Sequence, residues 1–391
     1  MPSELSPTTA KALLKYFDER REKVLSLTRL LVETESPSGD GEGSRAVVSL
    51  LADAARSVEC VRKVEHVAAD DDYGEHLRVT AFGDAASDTQ SILLLGHTDT
   101  VYPRGSWRES LWREEDGRIY GPGVFDMKAN CALAVEVLRA CCSLEITPAR
   151  PVVMLLTCDE EAGSFSGRAL VEEEARRAAA VLVLEPPAPG GRVKTERKGT
   201  AGYTITAHGR AAHAGLEPEK GASAILEMAR QIERLHALND LARGTTINVG
   251  VISGGTRSNV VAAEARAEVD VRFTTMSEAQ RIGRVLGELR PFDERVRLTI
   301  EGEINRPPLE RSEAVVALYD HARHVAAALD FELGETSVGG ASDGNFAAAV
   351  GAPVLDGLGI DGGGAHADHE HIIIEDVARR GALLAGLLAT L

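Results

Sequence analysis

Aromatic residues and cysteines are scarce in this chain, and the cysteines follow no organising pattern. Aromatics make up 4% of the 391 residues, and the five cysteines are Cys60, Cys131, Cys141, Cys142 and Cys158. An odd number of cysteines without CxxC spacing argues against a disulfide framework and against a zinc finger. We therefore expect reduced and mostly buried thiols.

An excess of basic residues and long uncharged runs are also missing. The chain has 43 Lys and Arg against 60 Asp and Glu, a formal net charge of -17. Nucleic-acid binding requires clustered positive charge, so we expect no nucleic-acid partner. No uncharged stretch is long enough to span a bilayer, and the start, MPSELSPTTAKALLKYFDERREK, lacks the apolar core of a signal peptide. We expect no membrane partner and a cytoplasmic location.

Short apolar runs, by contrast, recur along the chain. SILLLGH, VVMLLT and VLVLE are bounded by polar or turn-forming residues, which is typical of strands buried on both faces of a parallel sheet. Apolar spacing predicts helices over about 9–35, 44–57, 131–142 and 312–328. The sequence therefore predicts an α/β fold with a mixed, mostly parallel sheet between helices.

The pattern changes near residue 198, where apolar and polar residues alternate. GYTITAHGR and EARAEVDVRF are typical of antiparallel strands with one solvated face. Helices over 222–238 and 277–289 complete the order strand, helix, strand, strand, helix, strand. Because 391 residues exceed the usual size of one core, we expect two domains: a discontinuous one, 1–197 and 306–391, and an inserted α+β one, 198–305.

Side chains that bind metals follow three of the buried runs. His97 and Asp99 follow the first run, Glu160 and Glu161 the second, and Glu185 the third. The carboxyl ends of parallel strands meet at one edge of a sheet, so these side chains should converge. Imidazole and carboxylate donors without thiolates suit zinc or a similar borderline metal. Of the two adjacent acids, one can bind metal while the other acts as a general base.

Two further positions leave alternatives open. Asp126 lies in the Gly- and Pro-rich segment GPGVFDMK just before a helix, where it is either a helix N-cap or a metal ligand. A second imidazole should come from GGGAHADHEHIII, where His366, His369 and His371 compete.

The ordered motifs of the chain resemble those of the M20 metallopeptidases, most closely the glutamate carboxypeptidase type. From about Leu31 onwards the chain contains GHTDTVYP, GPGVFDMK, TCDEEAGSFSG, LEP, GRAAHAG, GGTRSNVV, DVRF, NRPPLE, GGASDGNFAAA and GGGAHADHEHI in the family's order. The resemblance implies two divalent ions, zinc first and cobalt or manganese as alternatives, in the discontinuous domain. The implied metal ligands are His97, Asp126 as the bridge, Glu161, Glu185 and His366.

The resemblance also implies roles for other residues. Asp99 would support the first imidazole, and Glu160 would be the general base. In the inserted domain, His213 would help to hold the oxyanion, while Asn259 and Arg272 would bind the carboxylate end of the substrate. This domain corresponds to the family's lid and would provide the contact of a homodimer.

The implied reaction is hydrolysis of an amide bond that releases a C-terminal, glutamate-like amino acid from a peptide or N-acyl group. An N-acyl amino acid deacylase or a dipeptidase would use the same ligands. The chain departs from the family pattern at Ala129 and Asn130, where two glycines are frequent, and at Glu370 with His371, where an acid and a tyrosine are usual. Neither departure removes a ligand.

A serine hydrolase is the rival from another class. GASDG, residues 340–344, fits G-x-S-x-G, and Asp361 and His366 follow Ser342 in the required order. The preceding FELGETSVG is a poor buried strand, however, and only 18 residues separate Ser342 from Asp361. A binding protein without turnover would lack a metal ligand or the general base, and this sequence lacks neither.

Arg197 and Lys198 lie near the domain hinge. They either contact a substrate carboxylate or are simply solvated.

Overall fold

The computed structural model describes residues 3–70, 72–83 and 89–391. Within this part of the chain, no helix is both long and apolar enough to cross a membrane. The α-helices, in chain order, are α1 (Pro7–Glu33), α2 (Gly41–Arg56), α3 (Ala129–Ser143), α4 (Arg168–Arg176), α5 (Ala224–His236), α6 (Met276–Gly287), α7 (Glu313–Ala328), α8 (Gly344–Ala349) and α9 (Asp376–Thr390).

The β-strands are short for the most part, and a few contain only two or three residues. In chain order they are β1 (Val61–Ala68), β2 (Glu75–Ala81), β3 (Ser91–His97), β4 (Arg113–Glu115), β5 (Arg118–Tyr120), β6 (Val152–Thr157), β7 (Ala178–Val183), β8 (Val193–Arg197), β9 (Gly199–His208), β10 (Thr246–Gly254), β11 (Glu264–Phe273), β12 (Arg297–Arg306), β13 (Glu335–Val338), β14 (Val354–Leu355), β15 (Gly362–Gly363) and β16 (His371–Ile373).

Backbone contacts divide the chain into two compact units. The first comprises Met1–Thr195, Arg311–Val338 and Ser342–Leu391, and the second comprises Glu196–Glu310 and Gly339–Ala341. A core of aliphatic side chains from α1, α3, α9 and the strands fills the first unit, and a separate core fills the second.

The main sheet of the first unit has the strand order β1-β2-β6-β3-β7-β14. Strands β6, β3, β7 and β14 run parallel, whereas β1 and β2 are antiparallel to their neighbours. Every residue of β3 and β6 is buried, as the continuous apolar runs predict. The prediction of a mixed, mostly parallel sheet between helices is confirmed.

Helix boundaries differ from the predicted ones by a few residues because side-chain caps, and not apolar spacing, set the first turn. The Ser6 hydroxyl accepts from the backbone N–H of Thr9, so α1 begins at Pro7 and not at residue 9. The carboxylate of Asp40 accepts from Gly43 at 3.0 Å, so α2 begins at Gly41, three residues before the predicted start.

A small sheet of the first unit, in the order β15-β16-β5-β4, joins segments that are distant in sequence. In its register, His371 of β16 lies opposite Tyr120 of β5 and Gly363 of β15. The segment 364–370 connects β15 to β16, and the segment 121–128 follows β5. The small sheet therefore brings the loop that contains His366 to the loop that contains Asp126.

The second unit is an antiparallel sheet in the order β10-β11-β9-β12 with α5 and α6 packed on it. Its elements follow the predicted order strand, helix, strand, strand, helix, strand. Buried and exposed residues alternate strictly along most of β11, because the helices cover one face of the sheet and the other face is solvated.

Candidate metal centre

His97 is the last residue of β3, and its imidazole is buried in the first unit. Its Nδ1 lies 3.1 Å from the backbone carbonyl oxygen of Asp99 and 3.4 Å from the carboxylate of the same residue. These contacts on Nδ1 direct Nε2 toward the carboxyl edge of the sheet. This is the usual arrangement of a metal-binding histidine, whose second nitrogen is oriented by an oxygen.

Nε2 of His97 faces two carboxylates. It lies 3.2 Å from Oδ1 of Asp126 and 3.5 Å from Oε1 of Glu185, which follows β7. One ligand atom from each of these three residues lies within 4.8 Å of the others. Together they form a first group of ligands that can hold a single ion.

A second group shares Asp126 with the first. Nε2 of His366 lies 3.1 Å from Oε1 of Glu161 and 3.5 Å from Oδ2 of Asp126, again with all ligand atoms within 4.8 Å. One carboxylate oxygen of Asp126 thus faces each histidine. This is the geometry in which a carboxylate can bridge two ions.

The site contains an excess of negative charge that requires compensation. Burial opposes the charged form of His97, but hydrogen bonds to carboxylates outweigh it and raise its pKa well above the usual value. Hydrogen bonds to Asp126 and Glu161 raise the pKa of His366 to about 10. Burial raises the pKa of Glu161. Three carboxylates and two imidazoles are the oxygen and nitrogen donors that suit borderline divalent metals, so the residues present fit two such ions.

Asp99 connects the histidine to the two adjacent glutamates. Its carboxylate accepts the backbone N–H groups of Glu160 and Glu161, each at 3.1 Å, and the hydroxyl of Ser38 at 2.5 Å. The two glutamates begin a 3₁₀ turn, Glu160–Ala162, and the Glu160 side chain is largely buried. Ser38 was missed by the sequence reasoning because its turn, SPSGDGEG, has no metal-site signature.

The interpretation of Asp126 as a helix N-cap is wrong. It lies inside a π-helical turn, Val124–Lys128, with backbone dihedrals outside the helical region. The residue before α3 is Lys128, and no side chain caps that helix. Lys128 is instead buried, and its ammonium donates to the carbonyl oxygens of Leu31 and Thr34 at 2.8 and 2.7 Å.

The three competing histidines have different surroundings. Of these three histidines, only His366 belongs to one of the ligand groups found in the described part of the chain. His369 is exposed and lies beside Asp368, whereas the ring of His371 lies 5.2 Å from that of Tyr120. His366 is therefore the histidine that the structure places against Asp126.

Ser342 is not placed as a nucleophile. Its hydroxyl is fully buried and donates to the carboxylate of Asp356 at 2.7 Å, while His366 faces Glu161 and Asp126. The serine-hydrolase alternative therefore fails, because Ser342 is neither accessible nor paired with a histidine base.

The side chain of Arg197 is also buried, and it donates to the carbonyl oxygens of Gly340 and Ala341. This contact ties β8 to the glycine-rich segment, which explains why a charged residue is buried there. This contact indicates a structural role for Arg197 and does not support its binding of a substrate carboxylate.

His213 and Asn259 lie on neighbouring segments of the second unit. His213 forms an isolated bridge with Val260, and the N–H of Ala214 donates to the carbonyl oxygen of Asn259 at 2.9 Å. His213 and Asn259 are both exposed. Arg272, on β11, donates to the carboxylate of Asp270 at 2.9 Å. The structure thus brings His213 and Asn259 together and places Arg272 in an ion pair.

A third group of possible ligands, His76, Cys158 and Asp159, is fully buried. Nδ1 of His76 accepts from the N–H of Cys158 at 3.2 Å, and its Nε2 lies 2.9 Å from the hydroxyl of Ser166. Burial lowers the pKa of His76 and raises that of the Cys158 thiol. Both nitrogens of His76 have partners and the thiol is held neutral, so these contacts describe a structural network.

Comparisons with known proteins show what the chain as a whole is similar to. Residues 93–390 match the model of peptidase family M20/M25/M40. The chain is 31% identical to carboxypeptidase G2 of Pseudomonas sp. (strain RS-16), over 77% of this chain and 74% of that protein. It is 30% identical to acetylornithine deacetylase of Myxococcus xanthus, over 80% of this chain and 83% of that protein.

A solved structure shares the fold. The crystal structure of aminopeptidase PepT from Bacillus cereus ATCC 10987 matches with a TM-score of 0.78 at 23% identity. The match covers 94% of this chain and 98% of that one.

Proposed function

We propose, because the chain belongs to peptidase family M20/M25/M40, that it cleaves the amide bond before a C-terminal, glutamate-like amino acid of a peptide or N-acyl group. The chain is a hydrolase of the metallo-carboxypeptidase and amidohydrolase type. The observation on which the proposal depends is the pair of ligand groups that share Asp126. We propose a cytoplasmic location as well.

Five residues would hold two divalent ions, zinc by preference and cobalt or manganese as alternatives: His97, Asp126, Glu161, Glu185 and His366. When bound, such ions polarise a carbonyl group and lower the pKa of a water molecule toward 7. Asp99 would keep the first imidazole oriented, because its oxygens already contact Nδ1.

Glu160 would act as the general base and then as the general acid. It would take the proton of the attacking water and pass it to the leaving amine as the amide bond breaks. His213 would donate a hydrogen bond to the negative charge that develops on the carbonyl oxygen. Asn259 and Arg272 would bind the substrate's carboxylate, a task for which guanidinium geometry is well suited. These roles come from the motifs around each residue.

The preference for a C-terminal amino acid is supported by the similarity to a carboxypeptidase. The sequence identity to an acetylornithine deacetylase is almost as high as that to the carboxypeptidase. It supports an N-acyl amino acid deacylase as the second candidate. Both activities cleave the amide bond of an N-acyl amino acid and differ in the amino acid that they prefer, so substrates that share one acyl group and differ in the amino acid separate them.

Metal removal and a substrate panel test the proposed reaction. Treatment with a chelator should abolish hydrolysis, and added zinc, cobalt or manganese should restore it. On a panel of acetyl-glutamate, acetyl-leucine and acetyl-ornithine, we expect kcat/KM for the glutamate substrate to exceed the others by about tenfold, the effect of one additional charged contact. Preference for acetyl-ornithine would favour the deacylase, and hydrolysis that survives complete metal removal would contradict both candidates.

We further propose that the second unit forms a homodimer through β10. This strand is at the edge of its sheet, and its exposed residues include Val251 and Ile252, each 55% accessible. An exposed apolar edge strand favours pairing with another strand. Ile225 of α5, which is also partly exposed, lies next to the end of this strand at Gly255.

A charge-introducing variant tests the dimer. Val251→Lys with Ile252→Lys should raise the dimer dissociation constant by about 100-fold, because two central apolar contacts are lost. Light scattering coupled to size-exclusion chromatography measures the mass. Leu241→Lys, at a still more exposed apolar position of the same unit outside the strand, is the control and should remain dimeric. A monomeric wild-type chain would refute the dimer.

A further inference from the structure

Glu370 lies outside both ligand groups, yet its carboxylate is fully buried beside them. Oε1 accepts the backbone N–H groups of Phe125 and Asp126 at 2.8 and 2.9 Å. Oε2 lies 3.3 Å from the N–H of Gly123. The carboxyl group of Glu370 therefore holds the backbone of the segment that contains Asp126 by two hydrogen bonds and a third, longer contact.

The hydroxyl of Tyr102 joins this carboxylate to two other segments of the site. It lies 2.5 Å from Oε2 of Glu370 and 2.9 Å from the carbonyl oxygen of Ala367, the residue after His366. Tyr102 itself is three residues beyond Asp99, on the segment that follows β3. Its ring packs nearly perpendicular to the ring of Trp107, with 5.2 Å between the centroids.

The histidine loop needs such support. His366 has a φ of 62°, in the left-handed region, which costs a residue with a Cβ about 1–2 kcal/mol. Its side chain is 51% exposed, so packing alone does not hold the loop. Within the loop, Ala367 N–H donates to Gly364 and Glu370 N–H donates to Ala367. The contacts of the Tyr102 hydroxyl with Ala367 and Glu370 join this loop to the segment after β3.

We propose that Tyr102 and Glu370 are positioning residues for the metal centre, which hold the Asp126 and His366 segments at the separation that two bridged ions require. This inference rests on the proposed function, since it assumes that the five ligands bind metal. Substitution of outer residues that orient metal ligands typically costs 10- to 100-fold in metal affinity or activity. The pair therefore acts through Asp126 and His366 without touching the substrate.

Tyr102→Phe tests the proposal because it removes one hydroxyl and little else. Zinc affinity is measured on the full-length protein by competition with a chromogenic chelator. We expect the zinc dissociation constant of at least one site to rise by about tenfold. Tyr319→Phe is the matched control, because it removes a hydroxyl that donates to the Leu333 carbonyl oxygen at 2.9 Å within the same unit. The control should change zinc affinity by less than about twofold, in line with a contact outside the metal site.

Glu370 provides a second, graded test. Glu370→Ala removes the acceptor for Phe125 and Asp126 and should weaken zinc binding by about 100-fold, whereas Glu370→Gln keeps one acceptor oxygen and should recover part of the loss. Wild-type zinc affinity in Tyr102→Phe, with circular dichroism that shows a folded chain, would overturn the proposal even if Glu370→Ala fails to fold. A wild-type chain that binds two zinc ions but hydrolyses no amide would count against the proposed function alone.

Discussion

Replacing Glu160 with glutamine is expected to lower kcat by about 10²- to 10⁴-fold, the contribution of a general acid–base residue, while both ions stay bound. Glutamine has nearly the shape of glutamate but cannot take the proton of the attacking water. The backbone N–H at this position, which donates to Asp99, is unaffected by the change. Steady-state kinetics with parallel measurement of metal content by mass spectrometry would check both parts of the prediction.

Glu161→Gln is the variant with which Glu160→Gln should be compared. Its carboxylate lies 3.1 Å from Nε2 of His366, so the change should weaken metal binding and lower the metal content. We therefore expect Glu160→Gln to lose turnover and retain metal, and Glu161→Gln to lose metal. If Glu160→Gln kept the wild-type kcat, the proton would have to be taken by another group.

Asp126→Ala should have the largest effect on metal content, because one residue serves both ligand groups. We expect the loss of both ions and a fall in kcat/KM of at least about 10³-fold, since metal ions contribute several kcal/mol to the stabilisation of the transition state. His97→Ala and His366→Ala should each leave one site with two of its three ligands and the other site with all three.

Asp53→Ala is the control for the change in charge, because this aspartate is exposed on α2 in a pair with Arg56. It should leave metal content and kcat unchanged. Retention of two tightly bound ions by Asp126→Ala, measured by mass spectrometry after dialysis, would show that Asp126 does not bridge them.

The buried strands were predictable from the sequence, and so was their meeting point. Continuous apolar runs require burial on both faces, which only a sheet covered by helices provides, so His97 and Glu185 at the ends of β3 and β7 had to lie close together. In the second unit the alternating pattern of β11 was equally clear, because one face of its sheet is solvated.

The loops of the site could not be predicted from apolar patterns in the same way. The small sheet β15-β16-β5-β4 consists of strands of two or three residues, too short to show any periodicity, yet it brings Asp126 and His366 together. For the same reason the sequence alone does not decide whether Asp126 is a helix cap or a metal ligand. His366 was chosen among three histidines by resemblance to the family and not by physical reasoning.

The supporting residues were missed altogether. Ser38, Tyr102 and Glu370 contact the site through hydrogen bonds to backbone groups or to Asp99, and such contacts leave no spacing pattern in the sequence. In the sequence, Glu370 is visible as part of the motif GGGAHADHEHI, which does not indicate its supporting role. Its four-residue distance from His366 lets it pair with the Asp126 segment, which became visible only from the fold.

We propose that five side chains hold two ions, with Asp126 between them. Anomalous diffraction at the zinc edge, from crystals of zinc-reconstituted protein, tests it most directly. We expect two peaks about 3.5–4 Å apart, the usual separation in two-metal sites, one against His97 and Glu185 and the other against His366 and Glu161. A single peak, or peaks at the His76 and Cys158 network in place of these, would contradict it.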